Sequence, residues 1–178
     1  FGLHLATLDI RQNSGFHDRA IEGLLRAAGC ERTDYSAWSE DQKLDLLERE
    51  LRTPRPFTGT HTLLSGEAQT AVSLFRTLRD TLQRFGPGGL GPLIVSFTRG
   101  VADLLAVYLL AREGGMLVET PDGLASEIAV TPLFETIADL ERSEKILGAF
   151  LAHPMTSRTL DHLRIRDSRA AREQVVML

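Results

Sequence analysis

The chain of 178 residues is long enough for one domain with a substantial core, and its 43% hydrophobic and 25% charged residues are typical of a globular protein. A formal net charge of -4 gives no general attraction to nucleic acid, and no apolar run approaches the roughly 20 residues that a membrane helix needs. The single cysteine, Cys30, excludes an internal disulfide and fits a reducing compartment.

The chain opens with an apolar strand over residues 3–10, which runs into a polar cluster at residues 11–15. A helix is predicted over residues 16–28 because apolar side chains recur there at helical spacing, and Gly29 is suited to end it. The order is therefore strand, polar cluster, helix.

Two further helices follow. Ser39 is the predicted N-cap of the first, Gln42 completes a capping box three residues on, and Pro54 ends the segment. The second spans residues 66–85, where apolar side chains form a stripe on one face, and a Gly-Pro-Gly-Gly turn breaks it.

The middle of the chain repeats the opening order. An apolar strand over residues 93–97 leads into Thr98-Arg99-Gly100 and then into a helix over residues 101–113. This helix is apolar nearly all round, so we expect it to be buried on more than one side. Residues 116–119 form a short strand or extended segment, and residues 120–127 form a turn-rich connection.

The same order appears a third time at residues 128–142. Residues 128–130 form an apolar strand, and Pro132 lies where its hydrogen-bond ladder must end. Glu135 follows at the junction with a helix for which Thr136 is the predicted N-cap. Taken alone, Glu135 is more simply explained as a helix-capping or ion-paired acid.

The remaining segments are mainly helical. The helix that begins at Thr136 runs to residue 150 or is broken near Ser143, and another covers residues 156–164. Residues 174–178, a glutamine followed by four apolar residues, begin a fourth strand. Strands that alternate with helices favour a parallel α/β arrangement, in which functional side chains gather at the carboxyl ends of the strands.

Several segments of the sequence match a known pattern in the same order. They are FGLHLATLDIRQNSGFH at residues 1–17, YSAWSE at 35–40, ELRTPRP at 50–56, IVSF at 94–97, ADLLAV at 102–107 and VTPLFETIADL at 130–140. Together they span nearly the whole chain and resemble the phosphoenolpyruvate carboxylase family.

The resemblance implies that residues 1–178 are a single fragment of a larger barrel domain, incomplete at both ends. The implied fold is α/β: a helix-rich partial (β/α)8 TIM-type barrel with about three to four parallel strands. The implied parent enzyme, a lyase, carboxylates phosphoenolpyruvate with bicarbonate to oxaloacetate and phosphate, an anaplerotic carbon fixation that feeds the tricarboxylic acid cycle. It would be a cytoplasmic homo-oligomer, a tetramer by family, without nucleic-acid or membrane partners.

The same resemblance implies site residues. Glu135 falls on a carboxylate ligand of Mg²⁺ or Mn²⁺, and Arg11 falls on an arginine that contacts the substrate phosphate, with Gln12 beside it as a further candidate for substrate binding. A hard cation suits carboxylate oxygens, and a guanidinium fork grips a phosphate at two points. Arg11 and Glu135 lie at equivalent ends of two predicted strands, so we expect them at one site. No catalytic residue is assigned within the chain.

The resemblance also implies that essential groups lie outside residues 1–178. The family's catalytic histidine would precede Phe1, while its second metal-binding aspartate, a nearby lysine and a glycine-rich loop would follow Leu178. We therefore expect the chain alone to bind metal weakly, to be inactive, and to self-associate through open sheet edges.

Five residues carry alternatives. Gln12 could help to orient Arg11, or could merely satisfy backbone groups at the end of the strand. Arg11 could pair with Asp9 or with a helix acid, and Arg99 could add positive charge to the site or be an ordinary surface arginine. For Asp103 and His17 we favour structural roles, in a helix first turn and at a helix start.

Two other classes of function remain open from the sequence. One is a non-catalytic α/β structural or interaction module, and the other is an enzyme of a different phosphoenolpyruvate-handling barrel family. Arg11 and Glu135 would fit the latter, whereas the extended match would not.

Overall fold

A computed structural model describes residues 6–59, 61–168 and 174–177 of the chain. Within these residues the fold is α/β with helices dominant, as the alternation of strands and helices predicts. The helices are α1 (Ser14–Ala27), α2 (Glu40–Glu50), α3 (Gly66–Phe85), α4 (Val101–Gly114), α5 (Ile137–Ala152) and α6 (Pro154–Arg166). The strands are β1 (Leu8–Asn13), β2 (Leu90–Ser96), β3 (Leu117–Thr120), β4 (Gly123–Ser126) and β5 (Val130–Pro132).

Three of the strands form a parallel sheet in the order β1-β2-β5, so the neighbours in the sheet are also successive parallel strands in the chain. Met177 forms an isolated parallel bridge with Leu133, which extends the pairing beyond β5 as expected for the predicted fourth strand. The predicted first strand began at residue 3, but residues 1–5 lie outside the described part of the chain.

The register of the sheet decides which face each side chain occupies. Paired residues share a face, and successive residues alternate between faces. Leu93 and Val130 pair with each other, are almost fully buried, and belong to the core. Arg11 pairs with Ile94, so it lies on the opposite face.

Helix α4 is the centre of the core. Its residues from Ala102 to Gly114 are all buried, because α1, α2, α3 and α5 all contact it. The approach of α3 is close enough that a Cβ at Gly114 would collide with Phe75. The prediction that this helix is buried on more than one side is confirmed.

The predicted helix boundaries hold where a strong local signal sets them. Helix α3 spans the predicted residues 66–85, and the Ser39–Gln42 capping box at the start of α2 is present in both directions. Thr136 caps α5 by accepting a hydrogen bond from the backbone N–H of Asp139 at 3.1 Å.

The connection at residues 120–127 differs from its prediction. Strand β4 occupies its second half and pairs with β3 in an antiparallel hairpin. Its sequence, GLAS, has weak strand propensity. Contacts with α6 stabilise β4 despite this weak propensity. Thr159 accepts a hydrogen bond from Ser126 N at 2.9 Å, and Arg158 donates one to Leu124 O at 2.8 Å.

The structure decides between the two predictions for α5, and it starts α6 earlier than predicted. Helix α5 is not broken near Ser143, because the Ser143 hydroxyl donates to the carbonyl of Leu140 at 2.7 Å and so does not act as a cap. Pro154 begins α6 at the first helical position, where its missing N–H costs no helix bond. Among the described residues, no helix is both long and apolar enough to span a membrane.

Candidate functional site

Arg11 and Glu135 meet across the carboxyl end of the parallel sheet. Nη2 of Arg11 lies 3.0 Å from Oε1 of Glu135, and Nε of Arg11 donates to the hydroxyl of Ser96 at 2.7 Å. Arg11 comes from β1, Ser96 from the end of β2, and Glu135 from the segment after β5. This contact brings Arg11 and Glu135 together at one edge of the sheet, as their positions in the sequence predict, while their roles in a functional site stay a prediction.

The ion pair is open to solvent. The side chain of Arg11 is 55% exposed and that of Glu135 is 26% exposed. An ion pair at such a position contributes only about 0–1 kcal/mol, because water solvates both charges well when they separate. A ligand that offers a phosphate to Arg11, or a cation to Glu135, therefore displaces the pair at little cost.

The second carboxylate oxygen of Glu135 is held by the main chain. Its Oε2 accepts a hydrogen bond from the backbone N–H of Phe97 at 2.9 Å. Phe97 has a left-handed backbone, with φ of 54°, and its carbonyl accepts a hydrogen bond from the Ser14 hydroxyl at 2.7 Å. Ser14 is the buried first residue of α1.

The turn between β2 and α4 is also tied to β5. The hydroxyl of Thr98, a fully buried residue, donates to the carbonyl of Val95 at 2.8 Å. The backbone N–H of Thr98 donates to the carbonyl of Leu133 at 3.2 Å. These bonds fix the turn against the strand that leads to Glu135.

Gln12 lies on the other face of the sheet from Arg11, because neighbouring residues of a strand point to opposite sides. Its Oε1 lies 3.0 Å from Nε2 of His17, and it makes neither of the bonds that orient Arg11. The sequence interpretation that Gln12 orients Arg11 is therefore wrong, and the alternative that it satisfies backbone groups is replaced by this side-chain bond.

His17 is buried in the first turns of α1, and burial lowers its pKa to about 4. It is thus neutral at physiological pH, and its Nδ1 is buried with no hydrogen-bond partner in the described part of the structure. The structural role expected for His17 agrees with its bond to Gln12.

Arg99 is engaged by two buried carboxylates. It donates to Asp103 at 2.6 Å and to Asp18 at 2.9 Å, and the pKa of its guanidinium is raised above its usual value, chiefly by the hydrogen bond to Asp103. Asp18 also pairs with Lys43 at 2.9 Å. Asp103 also accepts from the backbone N–H of Arg99 at 2.7 Å, which is the structural role expected for it.

The described residues offer one ligand for a metal ion at this edge of the sheet. They contain no group of three or more His, Cys, Asp or Glu side chains that could hold a metal. Mg²⁺ is commonly held by one or two carboxylates together with waters and substrate phosphates. Glu135 fits such a site in its chemistry, but alone it does not complete one.

A cavity of about 490 Å³ lies at the opposite end of the sheet. Residues at the start of β2 and just before β5 line it, including Gly91 and Ile128. Because parallel α/β proteins bind their ligands at the carboxyl ends of the strands, this cavity is not the candidate site.

Three residues of the site have no charge and were missed in the sequence. Ser96 and Phe97 lie at the end of a predicted apolar strand, and Ser14 lies in the polar cluster before the first helix. A neutral side chain or a backbone N–H gives no chemical signal in a sequence. The only available signal was position, since all three residues flank strand ends.

Comparisons with known proteins identify what the chain resembles. A family model described as Phosphoenolpyruvate carboxylase matches residues 1–178. Proteins named Phosphoenolpyruvate carboxylase match it from Roseiflexus castenholzii, at 41% identity over 167 residues, and from Rhodopseudomonas palustris strain CGA009, at 38% identity over 177 residues. The matches cover 93% and 99% of this chain.

A third relative of the same name, from Aromatoleum aromaticum, is 39% identical over 154 residues, which is 86% of this chain. The chain spans only 16%, 17% and 18% of the lengths of the Aromatoleum, Roseiflexus and Rhodopseudomonas proteins.

Proposed function

The chain belongs to the phosphoenolpyruvate carboxylase family, and from this we propose that it is a segment of an enzyme that carboxylates phosphoenolpyruvate with bicarbonate to give oxaloacetate and phosphate. The observation that carries the proposal is the Arg11–Glu135 pair at the carboxyl end of the parallel sheet. A cationic fork and a carboxylate at that place suit a substrate that is a phosphate ester and an enzyme that needs a divalent cation.

We further propose that the chain forms part of a (β/α)8 barrel. The order of the parallel strands supports this, because β1, β2 and β5 lie side by side in the same succession as in the chain. A barrel requires that succession, whereas a doubly wound sheet reverses it at some point. The isolated Leu133–Met177 bridge is parallel as well, in keeping with a next strand.

Arg11 is proposed to bind the phosphate of the substrate. Its Nε is already occupied by Ser96, which leaves the terminal nitrogens of the guanidinium to face a ligand. When a phosphate binds, it replaces Glu135 as the partner of Arg11 Nη2. Gln12, proposed from the sequence as a further substrate-binding residue, acts indirectly in this account, through its contact with His17 at the start of α1.

Glu135 is proposed to be one ligand of Mg²⁺ or Mn²⁺, with the remaining protein ligands supplied by residues that the structure does not describe. When bound, a divalent cation lets two anionic substrates approach each other and stabilises an enolate. Glu135 contributes a carboxylate oxygen whose orientation the Phe97 N–H fixes. The chain alone is proposed to bind metal weakly and to be inactive.

The proposed setting follows the family. The parent enzyme is proposed to act in the cytoplasm as a homo-oligomer, a tetramer, on phosphoenolpyruvate and bicarbonate. The single Cys30 is compatible with a reducing compartment.

The reaction is tested with the full-length polypeptide that contains this chain. Oxaloacetate formed from phosphoenolpyruvate is measured with and without bicarbonate in the presence of Mg²⁺. We expect bicarbonate-dependent activity that collapses in Glu135→Gln and persists in Glu141→Gln, which changes an exposed acid of α5. A wild-type polypeptide with no activity contradicts the proposal and favours a non-catalytic module.

A further inference from the structure

The turn between β2 and α4 holds Phe97 in an unfavourable backbone conformation. Phe97 and Ser168 are the only non-glycine residues with positive φ among the described residues, both at 54°. A left-handed backbone is costly for a residue with a bulky side chain, so the surrounding structure must impose it. The side chain does not explain it by packing alone, because Phe97 is 47% exposed.

Two hydrogen bonds on either side of Phe97 account for the conformation. Its N–H points at Glu135 Oε2, at 2.9 Å, and its carbonyl receives the hydroxyl of Ser14, at 2.7 Å. Ser14 is separated from Phe97 by 83 positions in the chain, and Phe97 from Glu135 by 38. The three residues therefore form one chain of contacts from the start of α1 to the carboxylate.

The hydroxyl of Ser14 is not required to cap α1. The cap is Asn13, whose side chain accepts a hydrogen bond from the N–H of Gly15 at 2.8 Å. Ser14 is nevertheless only 2% exposed, and its Oγ donates to Phe97 alone among the contacts found in the described residues. The Ser14 hydroxyl therefore stabilises the turn at Phe97 and not the start of α1.

We propose that Ser14 is a positioning residue for Glu135, acting through the Phe97 main chain. This rests on the proposed role of Glu135 as a metal ligand. Ser14 anchors the Phe97 carbonyl, the anchored residue stays left-handed, and its N–H holds Oε2 of Glu135. The other oxygen, Oε1, contacts the exposed side chain of Arg11 and is the one that can be exchanged for a cation.

Removal of the hydroxyl releases this arrangement. Without the anchor, Phe97 relaxes toward the extended conformations that its side chain prefers, and its N–H turns away from Glu135. The carboxylate then loses its fixed orientation before the metal arrives. Groups that orient a metal ligand commonly change metal affinity by about 10–100-fold, and we expect about a fivefold effect here because Ser14 acts one bond further away.

The test measures Mn²⁺ binding to the full-length polypeptide by electron paramagnetic resonance of free Mn²⁺. We expect Ser14→Ala to raise the Mn²⁺ dissociation constant about fivefold, with the KM for phosphoenolpyruvate at saturating metal nearly unchanged, since Arg11 is held by Ser96. Ser73→Ala, which removes a half-buried hydroxyl of α3 that accepts a hydrogen bond from Gln69, is the matched control and should match the wild type.

A second variant separates positioning from general loss of structure. Glycine adopts positive φ readily and keeps its N–H, so adding Phe97→Gly to Ser14→Ala should restore part of the lost Mn²⁺ affinity. A purely structural role of Ser14 predicts no such rescue, and a double variant no better than Ser14→Ala overturns the inference.

Two failures are distinguishable. A wild-type polypeptide that binds Mn²⁺ with an affinity unchanged in Ser14→Ala overturns this inference alone. A wild-type polypeptide that neither binds Mn²⁺ nor forms oxaloacetate overturns the proposed function, and this inference with it.

Discussion

Oε1 of Glu135 accepts a hydrogen bond from Arg11 Nη2 at 3.0 Å, although 124 positions separate the two residues in the chain. The two groups that the proposal assigns to a cation and to a phosphate thus satisfy each other when neither ligand is bound. Both are accessible, so each can exchange its partner for a ligand. Because of this contact, the proposed phosphate-binding group and the proposed cation ligand are direct neighbours.

Substitution of Arg11 by lysine tests the phosphate role. Lysine keeps the charge but loses the planar fork, so we expect Arg11→Lys to raise the KM for phosphoenolpyruvate by about tenfold, which is about 1.4 kcal/mol, with a smaller change in kcat. Steady-state kinetics of the full-length enzyme give both constants. Arg19→Lys, at an exposed pair with Glu67, is the control. Equal kinetics for Arg11→Lys and wild type would remove Arg11 from the site.

Ser96 should affect substrate binding through Arg11. Loss of the hydrogen bond from Arg11 Nε in Ser96→Ala costs about 1 kcal/mol, so we expect the KM for phosphoenolpyruvate to rise about fivefold. The effect should vanish in an Arg11→Lys background, because lysine has no Nε–H group in that position to donate. Additive effects in the double variant would show that Ser96 acts by another route.

The site was predictable from the sequence where charge and position agreed. Arg11 and Glu135 follow apolar runs, and the ends of parallel strands meet at one edge of a sheet, so their proximity followed from the pattern. Gln12 shows the limit of that reasoning. Gln12 is adjacent to Arg11 in the sequence, yet strand alternation puts it on the other face of the sheet.

The fold was predictable where the local signals were strong. The α3 boundaries and the Ser39 cap depend on nearby residues alone. Strand β4 depends on contacts with α6, which lies more than 25 residues further along the chain. No local sequence pattern predicts these contacts. Ser143 was ambiguous because a serine can cap a helix or bond back into one, and only the packed structure decides.

Glu113 should hold the loop after α2 in place. Its fully buried carboxylate accepts bonds from the backbone N–H groups of Phe57 and Thr58, and it pairs with the buried Arg112. Glu113→Gln removes one of the two carboxylate partners of Arg112, the other being Glu50, and places an amide N–H donor against other donors. We expect the free energy of local opening at Phe57 and Thr58 to fall by about 3 kcal/mol. Hydrogen exchange at these two amides should then be about a hundredfold faster.

Hydrogen exchange followed by mass spectrometry measures this effect in the full-length polypeptide. Glu67→Gln, at an exposed ion pair, is the control and should leave residues 51–58 protected as in the wild type. Unchanged protection in Glu113→Gln would mean that the loop is held by other contacts.

His17 should make stability fall at acidic pH. Its pKa is lowered from 6.5 to about 4 by burial, so the unfolded state takes up the proton first as the pH falls. The free energy of unfolding attributable to His17 is fully present above about pH 6.5 and declines between about pH 6.5 and 4, by about 3 kcal/mol in all. Neighbouring Asp18 opposes the shift only in part.

Urea denaturation at several pH values checks this, with the difference between wild type and His17→Gln as the quantity compared. Other groups titrate in both proteins and cancel in that difference. The wild type should lose more stability than the variant between pH 6.5 and 4. Parallel curves would show that His17 is protonated without cost in the folded state.

The most direct test of the account is Mn²⁺ titration of the full-length polypeptide, followed by electron paramagnetic resonance, for wild type, Glu135→Gln and the control Glu141→Gln. If Glu135 is a metal ligand beside the phosphate-binding Arg11, Glu135→Gln raises the Mn²⁺ dissociation constant by about tenfold or more while Glu141→Gln leaves it unchanged. Mn²⁺ binding of the same affinity in all three proteins would contradict the account, because Glu135 would then be only the ion-pair partner of Arg11.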